Sequence, residues 1–300
     1  MNSFIGPLQK GDLIAIVAPA KAIDHKCVEF AKSFFENAGF KVIIGKNTLG
    51  QFNYFSGTDL ARASDFQDAL DNPDVKAIIC ARGGYGVIRI LDSIQWAAQL
   101  RSPKWIVGFS DVTVFHQRMQ RFGIQSIHGT MPLNFESNSP KSLSSLISAL
   151  TRTKNNVRCL PNNRNKQGKA SGKLIGGNLS ILYSLLGTDD QLDYSNCILF
   201  IEDVGEQFYA IDRMLHSFKK SGILGKISGL IVGGMTHLKD TENPTGFDIE
   251  TLILDQFKYS KTPICFNFPA GHQDDNRALI LGADVQLFIT SSFVELSYVD

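Results

Sequence analysis

Little in this chain of 300 residues points away from an ordinary globular protein. Cysteine is scarce: Cys27, Cys80, Cys159, Cys197 and Cys265 make an odd number, and no two stand in a Cys-x-x-Cys spacing. That argues against a disulfide framework and against a zinc site, and neither a metal nor another cofactor is expected. Cys80, Cys197 and Cys265 lie in apolar runs and read as buried free thiols. An excess of one charge is missing too: 30 basic side chains meet 29 acidic ones, for a formal net charge of +1. With no long single-sign run, neither nucleic acid nor a lipid surface is an expected partner. No apolar stretch approaches the roughly 18 residues of a membrane span. The start, Met1-Asn-Ser-Phe-Ile-Gly-Pro7, has no basic segment followed by an apolar one, so a cytoplasmic protein is expected. No Gly-x-x-x-x-Gly-Lys-Ser/Thr phosphate loop, internal repeat or low-complexity tract occurs.

What is present is a regular alternation. Leu13–Ala18, Lys41–Ile44, Val75–Cys80 and Trp105–Val107 are short apolar runs that read as buried strands. Helical spacing fills the intervals at His25–Gly39 and Ser56–Leu70, and a further helix starts at Val87–Leu91. This order predicts a mostly parallel sheet covered by helices, with ligands at the carboxyl ends of the strands. Residues 151–172 lose the periodicity, and the Arg152–Lys173 basic cluster is broken by Asn, Gln and Gly. The expected organisation is therefore a domain over 1–150, a linker over 151–172 and a second domain over 173–300. In the second domain Asn178–Leu186 and Ala210–Lys220 read as helices. Cys197–Ile201, Leu230–Val232, Ile264–Phe268, Ala278–Leu281 and Val285–Ile289 read as strands, the last two as a hairpin or barrel edge.

Ser110 is the most informative residue. It follows the run ending at Gly108 and immediately precedes a helical stretch, the layout of a turn that lifts a nucleophilic hydroxyl from a sheet edge. Such a hydroxyl needs a base, an orienting acid and N–H donors for an oxyanion. Among six histidines, His25 and His216 fall in helical patterns, His237 in a polar loop, and His116 on the helix after Ser110 in a packing position. His128 and His272 both follow short strands and compete as the base. Glu202 and Asp203 end the Cys197–Ile201 run; one could orient an imidazole, or both could cap the next segment or pair with Arg213. The glycine-rich loop Ala81-Arg-Gly-Gly-Tyr-Gly-Val87 follows a strand and lacks the full dinucleotide pattern. It suits an oxyanion hole, with N–H groups near Gly84 and from Asp111. Arg82 and Arg213 could read a substrate carboxylate. A non-catalytic small-ligand or nucleotide-binding α/β protein is the alternative of another class.

Taken together, these segments resemble the L,D-carboxypeptidases of the LdcA and microcin-immunity (MccF) type. The resemblance rests on Gly11-Asp-Leu-Ile-Ala-Ile-Val-Ala-Pro19, Phe55–Arg62, Ala81–Gly86, Gly108-Phe-Ser-Asp-Val-Thr113 and His128-Gly-Thr-Met-Pro132. It continues through Gly176-Gly-Asn-Leu179, Leu199-Phe-Ile-Glu-Asp203 with Ile211-Asp-Arg213, and Gly271-His272 with Leu281-Gly282. The resemblance implies an N-terminal Rossmann-like or flavodoxin-like domain and a C-terminal β-rich, barrel-like α/β domain. It assigns Ser110 as nucleophile, His272 as base and Glu202 as its partner, which leaves His128 a structural or pocket role. It also implies a homodimer and a small peptide substrate, a murein tetrapeptide that loses its terminal D-alanine in cell-wall recycling. An immunity-type amidase acting on a peptide-nucleotide or acyl-sulfamoyl adenylate is the alternative; Trp96 and Trp105, the only tryptophans, both lie in the first domain and mildly favour the peptide.

Overall fold

The computed structural model describes residues 5–153 and 155–299; positions 1–4 of the start considered above lie outside the described residues. The chain divides into two compact units, Met1–Lys154 with Asp274–Ile280, and Asn155–Gln273 with Leu281–Asp300.

The first unit runs β1 (Leu13–Val17), α1 (His25–Asn37), β2 (Lys41–Ile44), α2 (Asp59–Asp71), β3 (Val75–Cys80), α3 (Val87–Ile90), α4 (Ala97–Arg101), β4 (Trp105–Gly108), α5 (Thr113–Arg121), β5 (Ser126–His128) and α6 (Pro140–Leu150). The helices begin where short polar side chains can satisfy free backbone N–H groups. Asp24 accepts from Lys26 N before α1, Thr58 from Ala61 N before α2, and Ser139 from Ser142 N before α6. The strands pair in parallel in the order 2-1-3-4-5, the doubly wound order of flavodoxin-like sheets. Ile14, Ile16, Ile78, Ile79 and Val107 are fully buried, each contributing roughly 1.5–3 kcal/mol by leaving water. This order has a switch point between β1 and β3, where the chain leaves the sheet toward opposite faces.

The second unit runs β6 (Val157–Cys159), β7 (Gly168–Asn178), α7 (Leu179–Ser184), β8 (Ile198–Val204), α8 (Phe208–Lys220), β9 (Gly229–Thr236), α9 (Ile249–Gln256) and β10 (Ile264–Cys265); β11 (Leu279–Leu281) returns to the first sheet, and β12 (Asp284–Ile289) and β13 (Val294–Tyr298) complete the second unit. Its seven-stranded mixed sheet has the order β10-β9-β8-β7-β12-β13-β6. β7 to β10 are parallel, and β12, β13 and β6 continue antiparallel from β7. One face is covered by α7, α8 and α9 through Leu179, Leu182, Ile211, Leu215, Phe218 and Ile253 against Leu199, Ile201, Leu230 and Val232.

Two expectations change here. Residues 151–172, read as a linker, carry β6 and the first part of β7, held by pairing to β13 and β12 rather than by an apolar pattern of their own. Ala278–Leu281 and Val285–Ile289 do not form a hairpin. β11 joins the first sheet beside β5, while β12 joins the second. Periodicity identifies both as strands but carries no information about which sheet receives them.

Candidate active site

Ser110 stands at the carboxyl end of β4. Its φ is +62°, in the left-handed region that non-glycine residues seldom adopt. A short 3₁₀ turn over Ser110–Val112 then leads directly into α5. Such strain persists only where the surroundings over-determine it. Here they do. His116, fully buried on α5, places Nε2 2.9 Å from the Gly108 carbonyl and Nδ1 2.9 Å from Ser126 Oγ. The carbonyl can only accept, so Nε2 carries the proton and Nδ1 accepts from the hydroxyl. Burial pushes the His116 pKa down to about 3, which keeps the ring neutral. On the other side, Val87 N donates to Asp111 Oδ2 at 2.8 Å, so the residue after Ser110 caps the start of α3 and ties the turn to the glycine loop. Burial raises the Asp111 carboxyl to about 6.

The glycine loop 82–86 lies against this turn. A methyl group on Gly83 would stand 2.9 Å from Ser110 Cβ, 3.1 Å from its Oγ and 3.3 Å from Asp111 N. Gly83 therefore abuts Ser110, and Gly84, the next residue, is exposed. Arg62, buried behind the loop, donates to the Pro19 and Gly86 carbonyls and pairs with Asp59. Arg82 donates to the Ala22 carbonyl at 2.9 Å.

The second unit brings His272 and Glu202 together. Alternation along β8 sends Leu199 and Ile201 to the helix-covered face and Glu202 to the other. Opposite Glu202, β9 carries one extra residue, with Ile201 paired to Val232 and Asp203 to Met235. Such a bulge re-aims the side chains around it. Two glycines occupy it. Gly234 N donates to the Ala270 carbonyl at 2.9 Å, and Thr236 Oγ1 donates to the His272 carbonyl at 2.8 Å. The chain at 270–272 thus lies on the bulge, and His272 Nδ1 reaches Glu202 Oε2 at 2.5 Å, while His272 N donates to the same oxygen at 3.2 Å. Gly271 makes this possible. Its φ is +98°, and a methyl there would stand 2.6 Å from Glu202 Cβ.

Glu202 is fully buried and His272 is mostly so. Burial pulls the imidazole pKa down, but the charge and hydrogen bond of Glu202 more than reverse this and hold it above its ordinary value. Nδ1–H is therefore committed to the carboxylate, leaving Nε2 to exchange a proton. Asp203 points the other way. Its carboxylate accepts from Ser180 N and Oγ, Asn178 Nδ2 and Val204 N, tying down the start of α7. Arg213 lies over the Tyr209 ring and pairs with neither acid. His128 is fully buried beside Phe109 and His116. Sequence reasoning missed Gly233, Gly234 and Thr236, whose only signal is a glycine pair at the end of an apolar run. Among the described residues no three His, Cys, Asp or Glu side chains converge as a metal site would require.

Comparison with known proteins gives matches over the same ranges. Residues 14–129 match the LD-carboxypeptidase N-terminal domain, and residues 171–287 the LD-carboxypeptidase C-terminal domain. The chain is 32% identical to a probable murein peptide carboxypeptidase of Bacillus subtilis, over 92% of this chain and 88% of that one. It is 27% identical to the microcin C7 self-immunity protein MccF of Escherichia coli, over 94% and 92% respectively. The crystal structure of a muramoyltetrapeptide carboxypeptidase from Oxalobacter formigenes superposes with a TM-score of 0.87 at 29% identity, covering 96% of this chain and 99% of that one.

Proposed function

Because the chain belongs to the LD-carboxypeptidase family across both of its family domains, we propose that it is a serine peptidase that cleaves the terminal L,D amide bond of a murein tetrapeptide and releases D-alanine. The observation that carries the catalytic assignment is the buried His272–Glu202 pair at 2.5 Å, which fixes the imidazole in the tautomer whose Nε2 can accept a proton. Ser110 is the nucleophile, held in strained backbone at a strand end. In the proposed reaction Ser110 Oγ attacks the carbonyl carbon of the scissile amide while His272 Nε2 takes the hydroxyl proton. The same proton passes to the departing amine nitrogen as the C–N bond breaks. Water, deprotonated by His272, then cleaves the resulting ester and regenerates Ser110. Glu202 stabilises the imidazolium at each stage. The N–H groups of Gly84 and Asp111 receive the oxyanion, each typically worth about 3 kcal/mol.

Cell-wall recycling in the cytoplasm, by a homodimer, is the setting that the family resemblance supports; no helix among the described residues is long and apolar enough to cross a membrane. The relative with a self-immunity role supports a second reading, an amidase acting on acyl-sulfamoyl adenylates. One experiment separates them: mass spectrometry of products from a panel of L,D- and L,L-terminated peptides and an aminoacyl-sulfamoyl adenosine. Release of D-alanine from the tetrapeptide supports the carboxypeptidase, and cleavage of L,L peptides alone refutes it. Cleavage of only the adenylate selects the amidase. Ser110→Ala should lower turnover about 10⁴-fold or more with the fold intact.

A further inference from the structure

The scissile bond of a carboxypeptidase substrate lies next to a free carboxylate, which needs a cation close to the nucleophile. Arg82 and Arg213 were the sequence candidates. Arg82 is committed in part to the Ala22 carbonyl and Arg213 to the Tyr209 ring. Neither presents an uncommitted cation to the loop beside Ser110.

Lys21 does. It follows β1, while the glycine loop follows β3, so the two meet at the switch point of the sheet, where doubly wound folds bind their ligands. Consecutive glycines link it to the nucleophile. A methyl on Gly83 would touch Ser110, and one on Gly84 would stand 2.8 Å from Tyr54 Oη and 3.2 Å from Lys21 Cβ. The Lys21 segment is built to stay there. Lys21 bridges to Phe55, Ala22 N donates to the Tyr54 carbonyl, and Arg82 holds the Ala22 carbonyl. Lys21 Nζ rests 4.7 Å from the centre of the Tyr54 ring, with no carboxylate partner among the described residues. Tyr54, 42% exposed, likewise has no hydrogen-bond partner for its hydroxyl among them.

We propose that Lys21 and Tyr54 form the subsite for the terminal carboxylate of the substrate, the ammonium supplying the charge and the phenol a second donor. This rests on the peptidase function proposed above. An ammonium and a hydroxyl side by side can satisfy both oxygens of one carboxylate. Stacking of a nucleobase is the poorer fit, because the ammonium sits over the Tyr54 ring and Phe55 packs edge-on at 5.4 Å.

The test compares a murein tetrapeptide bearing a free terminal carboxylate with the same peptide ending in a carboxamide. The wild-type enzyme should prefer the acid. Lys21→Met should lose about 10- to 100-fold in kcat/KM on the acid, chiefly through KM, with the amide rate unchanged. Tyr54→Phe should move the same ratio in the same direction by less, and Lys21→Arg should restore part of it. Thermal midpoints within about 2 °C of wild type establish that the variants fold; Tyr54→Phe, which removes one oxygen, carries the test if Lys21→Met does not. An acid-to-amide ratio unmoved by either variant overturns the subsite while leaving the peptidase assignment standing. A wild-type enzyme that releases no D-alanine overturns both.

Discussion

Replacing Gly83 with alanine isolates the contact between the glycine loop and Ser110, the proposed nucleophile. Gly83 lies outside the left-handed region of backbone space, so the substitution adds no backbone strain. Its entire cost comes from the new methyl, 2.9 Å from Ser110 Cβ and 3.1 Å from Oγ. Ordinary carbon contacts begin near 3.5 Å, so about 0.6 Å must be yielded. Ser110 cannot yield it cheaply, because His116 grips the Gly108 carbonyl on one side and Val87 grips the Asp111 carboxylate on the other. Over-packing of this kind costs about 1–3 kcal/mol. At roughly 2–4 °C per kcal/mol for a unit of this size, the midpoint should fall about 2–12 °C. Displacing a reacting atom by about 1 Å costs roughly 100-fold, so kcat for D-alanine release should fall roughly 10- to 100-fold with KM little changed. Steady-state kinetics with differential scanning fluorimetry read both quantities. Gly84→Ala is the contrast: at φ +108° it should cost about 1–2 kcal/mol in backbone strain, and its methyl would meet Tyr54 and Lys21 rather than Ser110. A Gly83→Ala variant with wild-type kcat and an unchanged midpoint would refute the packing of this loop on Ser110.

Other predictions concern the acid pair. Because the His272 pKa is raised in the fold, the stabilisation from its pairing with Glu202 is fully present below the ordinary histidine value of about 6.5 and is lost as pH rises through the raised value. Catalysis needs the neutral imidazole, so the acid limb of the kcat/KM profile should lie above pH 6.5. Glu202→Gln should move that limb to lower pH and reduce kcat on the order of 10⁴-fold; an unmoved limb would separate Glu202 from the base. Asp203→Asn puts an amide donor among four donors, and should cost about 1–3 kcal/mol in urea unfolding. Its effect on kcat should be much the smaller of the two, and the reverse order would mean that the acids have been exchanged.

The central strands of the first sheet were legible because they are buried on both faces and therefore read as apolar runs, as at Leu13–Val17 and Trp105–Gly108. Ser110 was legible for the same reason, since a strand end followed at once by a helix leaves one tight turn. β7 was not. Lys169, Ser171 and Lys173 face outward, and Gly172 and Gly176 pass so close to neighbouring carbonyls that a side chain would overlap them. Its stability comes from partners far along the chain. The geometry behind the proposal of His272 rather than His128 as base was also hidden from local pattern. It turns on a bulge in β9 that seats 270–272 on Glu202, a three-strand relation no short window contains.

The assignment of Asp274–Ile280 to the first unit bears on how the protein is made. During synthesis, β1 to β5 emerge early, yet β11, the strand beside β5, leaves the ribosome only after nearly all of the second unit. At about 5–20 residues per second, roughly 8–30 seconds separate the two. For that time the β5 edge is a bare row of backbone donors and acceptors, open to mispairing with another nascent chain. A ribosome stalled before residue 279 should therefore hold a first unit that is aggregation-prone, and a free peptide spanning 274–281 should suppress that aggregation.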